Sequence, residues 1–450
     1  MQRNIFKHAL LLGALALWSC EPSVDEFTPS KGTADFSKFI AIGDSFTAGY
    51  TDGALGKRGQ EESFSYILGK QLMYVGSTSY NQPLVQSNGS VGTTEIAPGQ
   101  YNGYFELQVI EGSLAPIPSL GDMTIFGEDA GSVDNQNFGV PGAKVTHLVA
   151  PGYAQANPYF ARFASNSTTS VLADALGSNP TFFSCWLAGN DVLAYALAGG
   201  VGGVGNNPSD ITDATVYEGT LTSILQTLTS DGAKGVIGNI PDVISIPFFT
   251  TVPYNAFEVN AATAAALNAK YEQYNLAAEQ MGLPKMEFAE GANAFVIYDA
   301  TIPDLLGNRR QATAEDRLLL TAQAEAISWT PTSDPILGDE FVLTKTELSN
   351  ISSATETFNA VNKKLANDFN LAFVDANALM KELSTTGITI DGHHYTNVFV
   401  SGGAFSLDGI HTTGRGSAII ANEFIDAINA QYGATVPKAN INDYDMVQFP

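Results

Sequence analysis

The 450-residue sequence holds only two cysteines, Cys20 and Cys185, five histidines and three tryptophans. Two cysteines allow at most one bridge, and none if Cys20 is lipidated, so a hydrophobic core rather than a disulfide framework must hold the fold. Cations are scarce too: 21 Lys and Arg face 46 Asp and Glu, for a formal charge of −25. That balance excludes a basic surface for nucleic acid or anionic lipid. Apolar runs are short, and the N-terminal one, Ala9 to Trp18, cannot span a bilayer. What remains is 44% hydrophobic sequence with modest charge, the composition of a globular body.

The N-terminus has the grammar of an exported protein. Arg3 and Lys7 precede the apolar run, which ends Leu17-Trp18-Ser19-Cys20. This ending resembles a bacterial lipobox, with Trp18 departing from the small residue usual there. The resemblance implies removal of residues 1–19 and a lipid anchor on Cys20. The acidic stretch Glu21 to Glu26 resembles the export tags of surface lipoproteins, so the outer membrane of a Gram-negative cell is the expected location. Residues 20–35 read as a flexible tether, residues 36–432 as the folded domain and 433–450 as a C-terminal tail.

Within the domain, short apolar runs alternate with helical periodicity. Phe39-Ile40-Ala41-Ile42 ends in Gly43-Asp44-Ser45, and Phe64, Ile67, Leu68 and Leu72 follow at helical spacing. The nearly unbroken apolar run 181–187 reads as a strand covered on both faces and leads into Gly189-Asn190-Asp191. A helix over 214–229 precedes a strand at 235–239, and helix 353–369 precedes strand 371–375. The last helix, 416–432, follows Asp408-Gly409-Ile410-His411. Alternation of this kind predicts an α/β fold, a parallel sheet between two helical layers with its site beyond the carboxyl ends of the strands. Two stretches fall outside the pattern. Residues 75–133, rich in Gly, Ser, Asn and Pro, read as an irregular insertion with a hairpin. Residues 245–345 read as an added helical subdomain, with helices over 256–281 and 311–327.

A serine nucleophile needs an imidazole to take its proton and donors to hold an oxyanion. After removal of His8 with the leader, His147, His393, His394 and His411 remain. Two stand in Asp-x-x-His groups, Asp391 with His394 and Asp408 with His411. A carboxylate three residues before a histidine can hold one ring nitrogen and leave the other free. His411 sits where the last helix begins, whereas His393-His394 lies in a segment typical of a surface hairpin. Gly200-x-Gly202-x-x-Gly205 has the form of a dinucleotide fingerprint but neither follows a strand nor opens a helix, so it reads as a loop.

Gly43-Asp44-Ser45-Phe46, Gly142, Gly189-Asn190-Asp191 and Asp408-x-x-His411 occur in the order of the motifs of the SGNH (GDSL) hydrolase family, which this sequence resembles from about Phe36 to Tyr432. Asn239-Ile240-Pro241-Asp242 is similar to a further strand-end segment of many GDSL lipases. The resemblance implies a three-layer flavodoxin-like fold and a serine esterase, lipase or acylhydrolase that works through an acyl-enzyme. It gives Ser45 the role of nucleophile, His411 of base and Asp408 of the group that orients it. It implies an oxyanion hole from the N–H groups of Ser45 and Gly142 and the amide of Asn190, with Asp44 and Asp191 as structural neighbours. Asn137-Phe138-Gly139-Val140-Pro141-Gly142 offers two glycines; the family places its glycine late, which favours Gly142 over Gly139.

The expected partner is an acyl ester, whether acetylated glycan, short-chain ester or lipid, and the chemistry calls for no cofactor or metal. The only candidate metal cluster, His393-His394 with Asp391, places two adjacent histidines that rarely reach one ion together. A non-catalytic glycan-binding lipoprotein on the same fold is the competing class, but only Trp186 and Trp329 remain as tryptophan platforms after cleavage. An acyltransferase would use the same residues. The sequence has no Gly-x-Ser-x-Gly elbow, which argues against the other common α/β serine hydrolase arrangement.

Overall fold

The computed structural model describes residues 28–110, 112–131, 134–187, 189–327 and 335–450. The expected leader and Cys20 lie outside the described residues. Five strands, β1 (Phe39–Gly43), β2 (Asn137–Gly139), β3 (Phe182–Trp186), β4 (Lys234–Gly238) and β5 (Ala372–Val374), form one sheet in the order β2-β1-β3-β4-β5. Every neighbouring pair is parallel. Every residue of β1 and β3 is buried, as required of central strands covered on both faces. Helices α1 (Phe64–Leu72) and α2 (Gly414–Tyr432) pack together and cover one face, while α3 (Val171–Gly177), α4 (Ala214–Thr229) and α5 (Lys345–Asp368) lie against the other layer. The expected three-layer α/β architecture is present.

Aromatic packing joins the sheet to the first layer. Trp186, 2% exposed, lies between Phe64 and Phe424, with ring centroids 5.1 and 5.6 Å away. Its indole N–H donates to the Asn239 carbonyl at 2.9 Å, which satisfies the one polar atom of a fully buried ring. At the adjacent strand a side chain is impossible: a Cβ on Gly43 would lie 2.2 Å from the Trp186 carbonyl oxygen.

The order 2-1-3-4-5 reverses direction between β1 and β3, and ligands in such sheets bind outside the carboxyl ends of the strands at that switch. Ser45 follows β1 and Asn190 follows β3, so the topology alone puts both beside the crevice.

Several boundaries differ from expectation. Helix α5 begins at Lys345 rather than 353, because Thr344 and Glu347 form a capping box, a Thr-x-x-Glu signal readable in the sequence. Residues 311–327 are not one helix. Arg309–Gln311 pairs with Val296–Tyr298, Arg317–Leu318 pairs with Val342–Leu343, and helix appears only from Ala322. Arg310, bound to Asp299 at 2.6 Å and to Asp316 at 2.7 Å, holds this region extended. Residues 256–281 likewise give a short strand, Phe257–Val259, before two helices, Ala261–Lys270 and Glu272–Met281. The 245–345 insertion is therefore mixed, with its own core around Phe295, Ile297, Leu318 and Leu337. The 75–133 insertion does contain a hairpin, Gln100–Ile110 with Ser113–Leu120.

The ends of the body also extend further than the sequence suggested. Ser30 and Thr435 exchange hydrogen bonds of 2.8 Å, and the Thr33 N–H donates to the Tyr432 carbonyl. Ala34 is buried, so residues 28–35 belong to the body rather than to the tether expected over 20–35. Val436, Ala439 and Ile441 are buried as well, and Asn422 of α2 pairs with the Ala439 backbone. The first part of the 433–450 segment is thus a packed return against α2, not a tail. No helix among the described residues is long and apolar enough to cross a membrane.

Candidate active site

Strand β1 ends at Gly43, and the chain turns at once into a four-residue helical segment, Ser45–Ala48. Asp44 caps it by accepting from the Phe46 N–H at 3.1 Å, and left-handed Gly49 ends it. Ser45 therefore stands at the first helical position, where its N–H has no intrahelical acceptor.

The structure brings Ser45, His411 and Asp408 into one chain of contacts across 366 residues of sequence. The Ser45 Oγ lies 2.8 Å from His411 Nε2, and His411 Nδ1 lies 2.8 Å from Asp408 Oδ2. All three are buried with the same 8% exposure, so water competes little for these bonds. Asp408 sits in a tight loop that collects donors. Its Oδ1 accepts from the Ile410 and His411 N–H groups, each at 2.8 Å, and from the Ser406 hydroxyl at 3.1 Å; its Oδ2 also accepts from the Gly53 N–H at 2.9 Å. Burial pushes the Asp408 carboxyl up, but the His411 charge and these donors outweigh it and hold the group down at about 2. An ionised carboxylate only accepts, so Nδ1 carries a proton, and in the neutral imidazole the Ser45 hydroxyl donates to Nε2. The rings of Phe46 and Tyr50 flank the imidazole, with centroids 5.0 and 4.9 Å away.

The two candidate glycines behave differently. Gly139 lies within β2; its N–H donates to Asn137 Oδ1 at 2.9 Å, and a Cβ there would meet the Ala48 backbone nitrogen at 2.3 Å. Gly142 is exposed, has φ of +78°, faces open space where a Cβ would stand, and donates its N–H to no backbone carbonyl of the described residues. Of the two glycines, Gly142 is the one whose N–H has no protein acceptor among the described residues. Asn190 opens a helix, and its amide donates to the Ala143 carbonyl at 3.0 Å with a longer 3.5 Å contact to Asp44 Oδ2. Of the two contacts, the one to Asp44 is the weaker.

Asp191 secures the same loop from below. It accepts from the Val145 N–H at 3.0 Å and from the Thr212 hydroxyl at 2.6 Å. Burial pushes its carboxyl up to about 6 against those donors and nearby Lys144. Lys144 turns its ammonium inward to the Asp210 carbonyl at 2.7 Å.

His394 stands apart. It lies on the surface hairpin Ile388–Ile390 with His393–Tyr395, exposed like His393, with Nδ1 against the Thr389 hydroxyl at 3.0 Å. Asp391 makes the hairpin's left-handed turn. The Gly200–Gly205 stretch is a loop with a short strand, Val204–Gly205. Sequence reasoning missed Asp52, Gly53 and Ser406, all of which meet the Asp408 loop. The adjacent Asp-Gly pair, typical of left-handed turns, was the one available signal.

No family model and no curated protein matches the chain. Solved structures similar to it include a protein described as a GDSL-like lipase from Parabacteroides merdae, 12% identical, covering 89% of this chain and 99% of that one, with a TM-score of 0.34. Another is Axe2, an acetylxylan esterase from Geobacillus stearothermophilus, 14% identical over 88% of this chain and 96% of that one, also with a TM-score of 0.34. A third is LAE5, an alpha/beta hydrolase from the metagenome of Lake Arreo, 12% identical over 88% and 97% of the two chains, with a TM-score of 0.36.

Proposed function

We propose that this chain is a serine ester hydrolase of the SGNH (GDSL) kind, with Ser45 as nucleophile, His411 as general base and acid, and Asp408 as the group that orients the ring. The observation that carries the reading is the unbroken path Ser45 Oγ, His411, Asp408, with both contacts at 2.8 Å.

The reaction follows from which atoms donate. His411 Nε2 takes the Ser45 proton as Oγ bonds to the ester carbonyl carbon, and Asp408 stabilises the imidazolium without taking a proton. The carbonyl oxygen becomes an anion held by the N–H groups of Ser45 and Gly142 and by the Asn190 amide. Loss of one such donor costs about 10²- to 10³-fold in rate. As the ester C–O bond breaks, the imidazolium proton passes to the leaving alkoxide and an acyl-serine remains. Water, deprotonated by the same nitrogen, then releases the acid and restores Ser45. The proposal includes export as a lipoprotein, with residues 1–19 removed and Cys20 lipidated at the outer membrane; loss of radiolabelled palmitate incorporation in Cys20→Ala, and its retention in Cys185→Ala, is the check.

The deciding experiment is hydrolysis of p-nitrophenyl acetate, butyrate and a long-chain ester beside Ser45→Ala, His411→Ala and His394→Ala. Activity should vanish in the first two variants and survive in the third. A folded, unmutated protein inert on all three esters would sink the reading, as would activity retained in Ser45→Ala.

A further inference from the structure

A second carboxylate lies behind the triad. Asp52 is 8% exposed and takes a left-handed conformation, with φ of +47°, followed by Gly53 at +75°. Two successive left-handed residues aim both of their N–H groups at the loop that carries Asp408. The Asp52 N–H donates to Ser406 Oγ at 3.0 Å, and the Gly53 N–H donates to Asp408 Oδ2 at 2.9 Å. The Ser406 hydroxyl in turn donates to Asp408 Oδ1. The side chain completes the clamp: Asp52 Oδ1 accepts from the Leu407 N–H at 2.8 Å and Oδ2 from Arg58 at 2.7 Å.

Resting on the hydrolase reading above, we propose that Asp52 is a positioning residue for the triad, holding Asp408, and through it His411, in register with Ser45. Asp408 reaches the His411 ring with one oxygen only, Oδ2, so a small rotation of its loop moves that bond directly. Leu407 and Ser406 are the two residues before Asp408, and both are held by Asp52. A single backbone N–H could be satisfied by a neutral acceptor. The buried charge adds the Arg58 contact, which fixes the carboxylate's rotation, and Arg58 is itself held 4.4 Å over the Tyr104 ring. The Phe105 N–H donates to the Asp52 carbonyl at 2.7 Å, and Asn102 donates to the Gly53 carbonyl at 2.7 Å. The hairpin inserted after β1 thus presses the clamp against the Asp408 loop. A brace that served folding alone would make the same contacts, so the test must read catalysis and separate the two roles.

The experiment is steady-state hydrolysis of p-nitrophenyl acetate by the full chain carrying Asp52→Ala, Asp52→Asn or Ser406→Ala, each also combined with Asp408→Ala, with thermal unfolding measured in parallel. A misplaced catalytic group costs up to about 10²-fold, so Asp52→Ala should lower kcat by about 10- to 100-fold with KM nearly unchanged. Asp52→Asn, which keeps an acceptor for Leu407, should recover part of that loss. In the Asp408→Ala background the effect should vanish, because the residue through which Asp52 acts is gone. Should Asp52→Ala not fold, Ser406→Ala carries the test, since it removes only the hydroxyl between Asp52 and Asp408. An unchanged kcat in a folded Asp52→Ala, or an equal loss in the Asp408→Ala background, overturns the role of Asp52 while Ser45→Ala remains inert. Activity retained in Ser45→Ala overturns the hydrolase reading and the role of Asp52 with it.

Discussion

Replacing Asp408 by Asn keeps the shape of the side chain and changes only which atoms accept. Asp408 Oδ2 receives His411 Nδ1–H and the Gly53 N–H, while Oδ1 receives two backbone N–H groups and the Ser406 hydroxyl. An Asn must place its NH₂ at one of these positions. At the Oδ1 position it would face the Ile410 and His411 N–H groups, two donor conflicts within a buried loop. At the Oδ2 position it faces only the Gly53 N–H, because the imidazole can move its proton to Nε2 and accept at Nδ1. The second arrangement is favoured, since each lost bond to a buried charged group is worth roughly 1.5–3 kcal/mol. It leaves His411 with a protonated Nε2, a donor to Ser45 rather than a base. The expected loss in kcat is therefore of order 10⁴-fold, about 5.5 kcal/mol of barrier, with unfolding free energy reduced by about 2 kcal/mol. The assay is steady-state hydrolysis of p-nitrophenyl acetate together with urea unfolding of the same preparation. A folded Asp408→Asn within tenfold of the unmutated kcat would refute the tautomer argument and leave Asp408 a structural residue.

The two candidate glycines separate by mutation. Gly139→Ala drives a Cβ into the backbone of Thr47 and Ala48, the segment that carries Ser45, and should lower stability by about 1–3 kcal/mol and remove most activity. Gly142→Ala meets open space and keeps its N–H, so its main penalty is the left-handed backbone, about 1–2 kcal/mol. Thermal melts and kcat/KM that show Gly142→Ala as the more damaging of the two would contradict this order. Acid stability tests Asp408 again. Its folded pKa is depressed from 3.8 to about 2, so its stabilising contribution is present above the unfolded value and lost as pH falls through the folded one. Worth about 2 kcal/mol by linkage, it should make the stability gap between unmutated protein and Asp408→Asn narrow from about pH 5 to below pH 2. A gap constant over that range in urea titrations would show that Asp408 does not couple folding to protons.

How much of this was legible in the sequence varied with the physical origin of each feature. The central strands were readable because burial on both faces forces continuous apolar runs, as in Phe182–Trp186. That His411 rather than His394 meets Ser45 was readable because one Asp-x-x-His precedes the last helix while the other sits in a turn. The choice of Gly142 rested on motif order alone. Its structural reason, that Asn137 Oδ1 already holds the Gly139 N–H, is a side-chain bond that no periodicity reveals. Alanine content misled at 311–327, where the pairing of Arg309–Gln311 with Val296–Tyr298 and the Arg310 ion pairs outweigh helical propensity. Residues 28–35 looked like a tether because they are polar, yet backbone bonds to Tyr432 and Thr435 need no apolar side chain.

Asp52 shows why some site residues escape a sequence reading. It belongs to none of the motifs and precedes a glycine in a turn. Its importance comes from contacts with residues more than 350 positions away. The clearest contacts of the two insertions bear on the Asp408 loop. Phe105, from the insertion after β1, bonds to the Asp52 carbonyl, and Phe248, from the insertion after β4, donates to the Gly409 carbonyl at 2.9 Å. Both insertions leave the sheet at carboxyl ends of strands, the edge where the last loop, Ser406–His411, must also arrive. A parallel sheet brings these segments to one place without specifying their mutual register. Ser45 and Asn190 are set by the strands that precede them, but Asp408 and His411 follow no strand of the sheet. Their register must come from neighbours, and the two inserted segments, through Asp52 and Gly409, supply it.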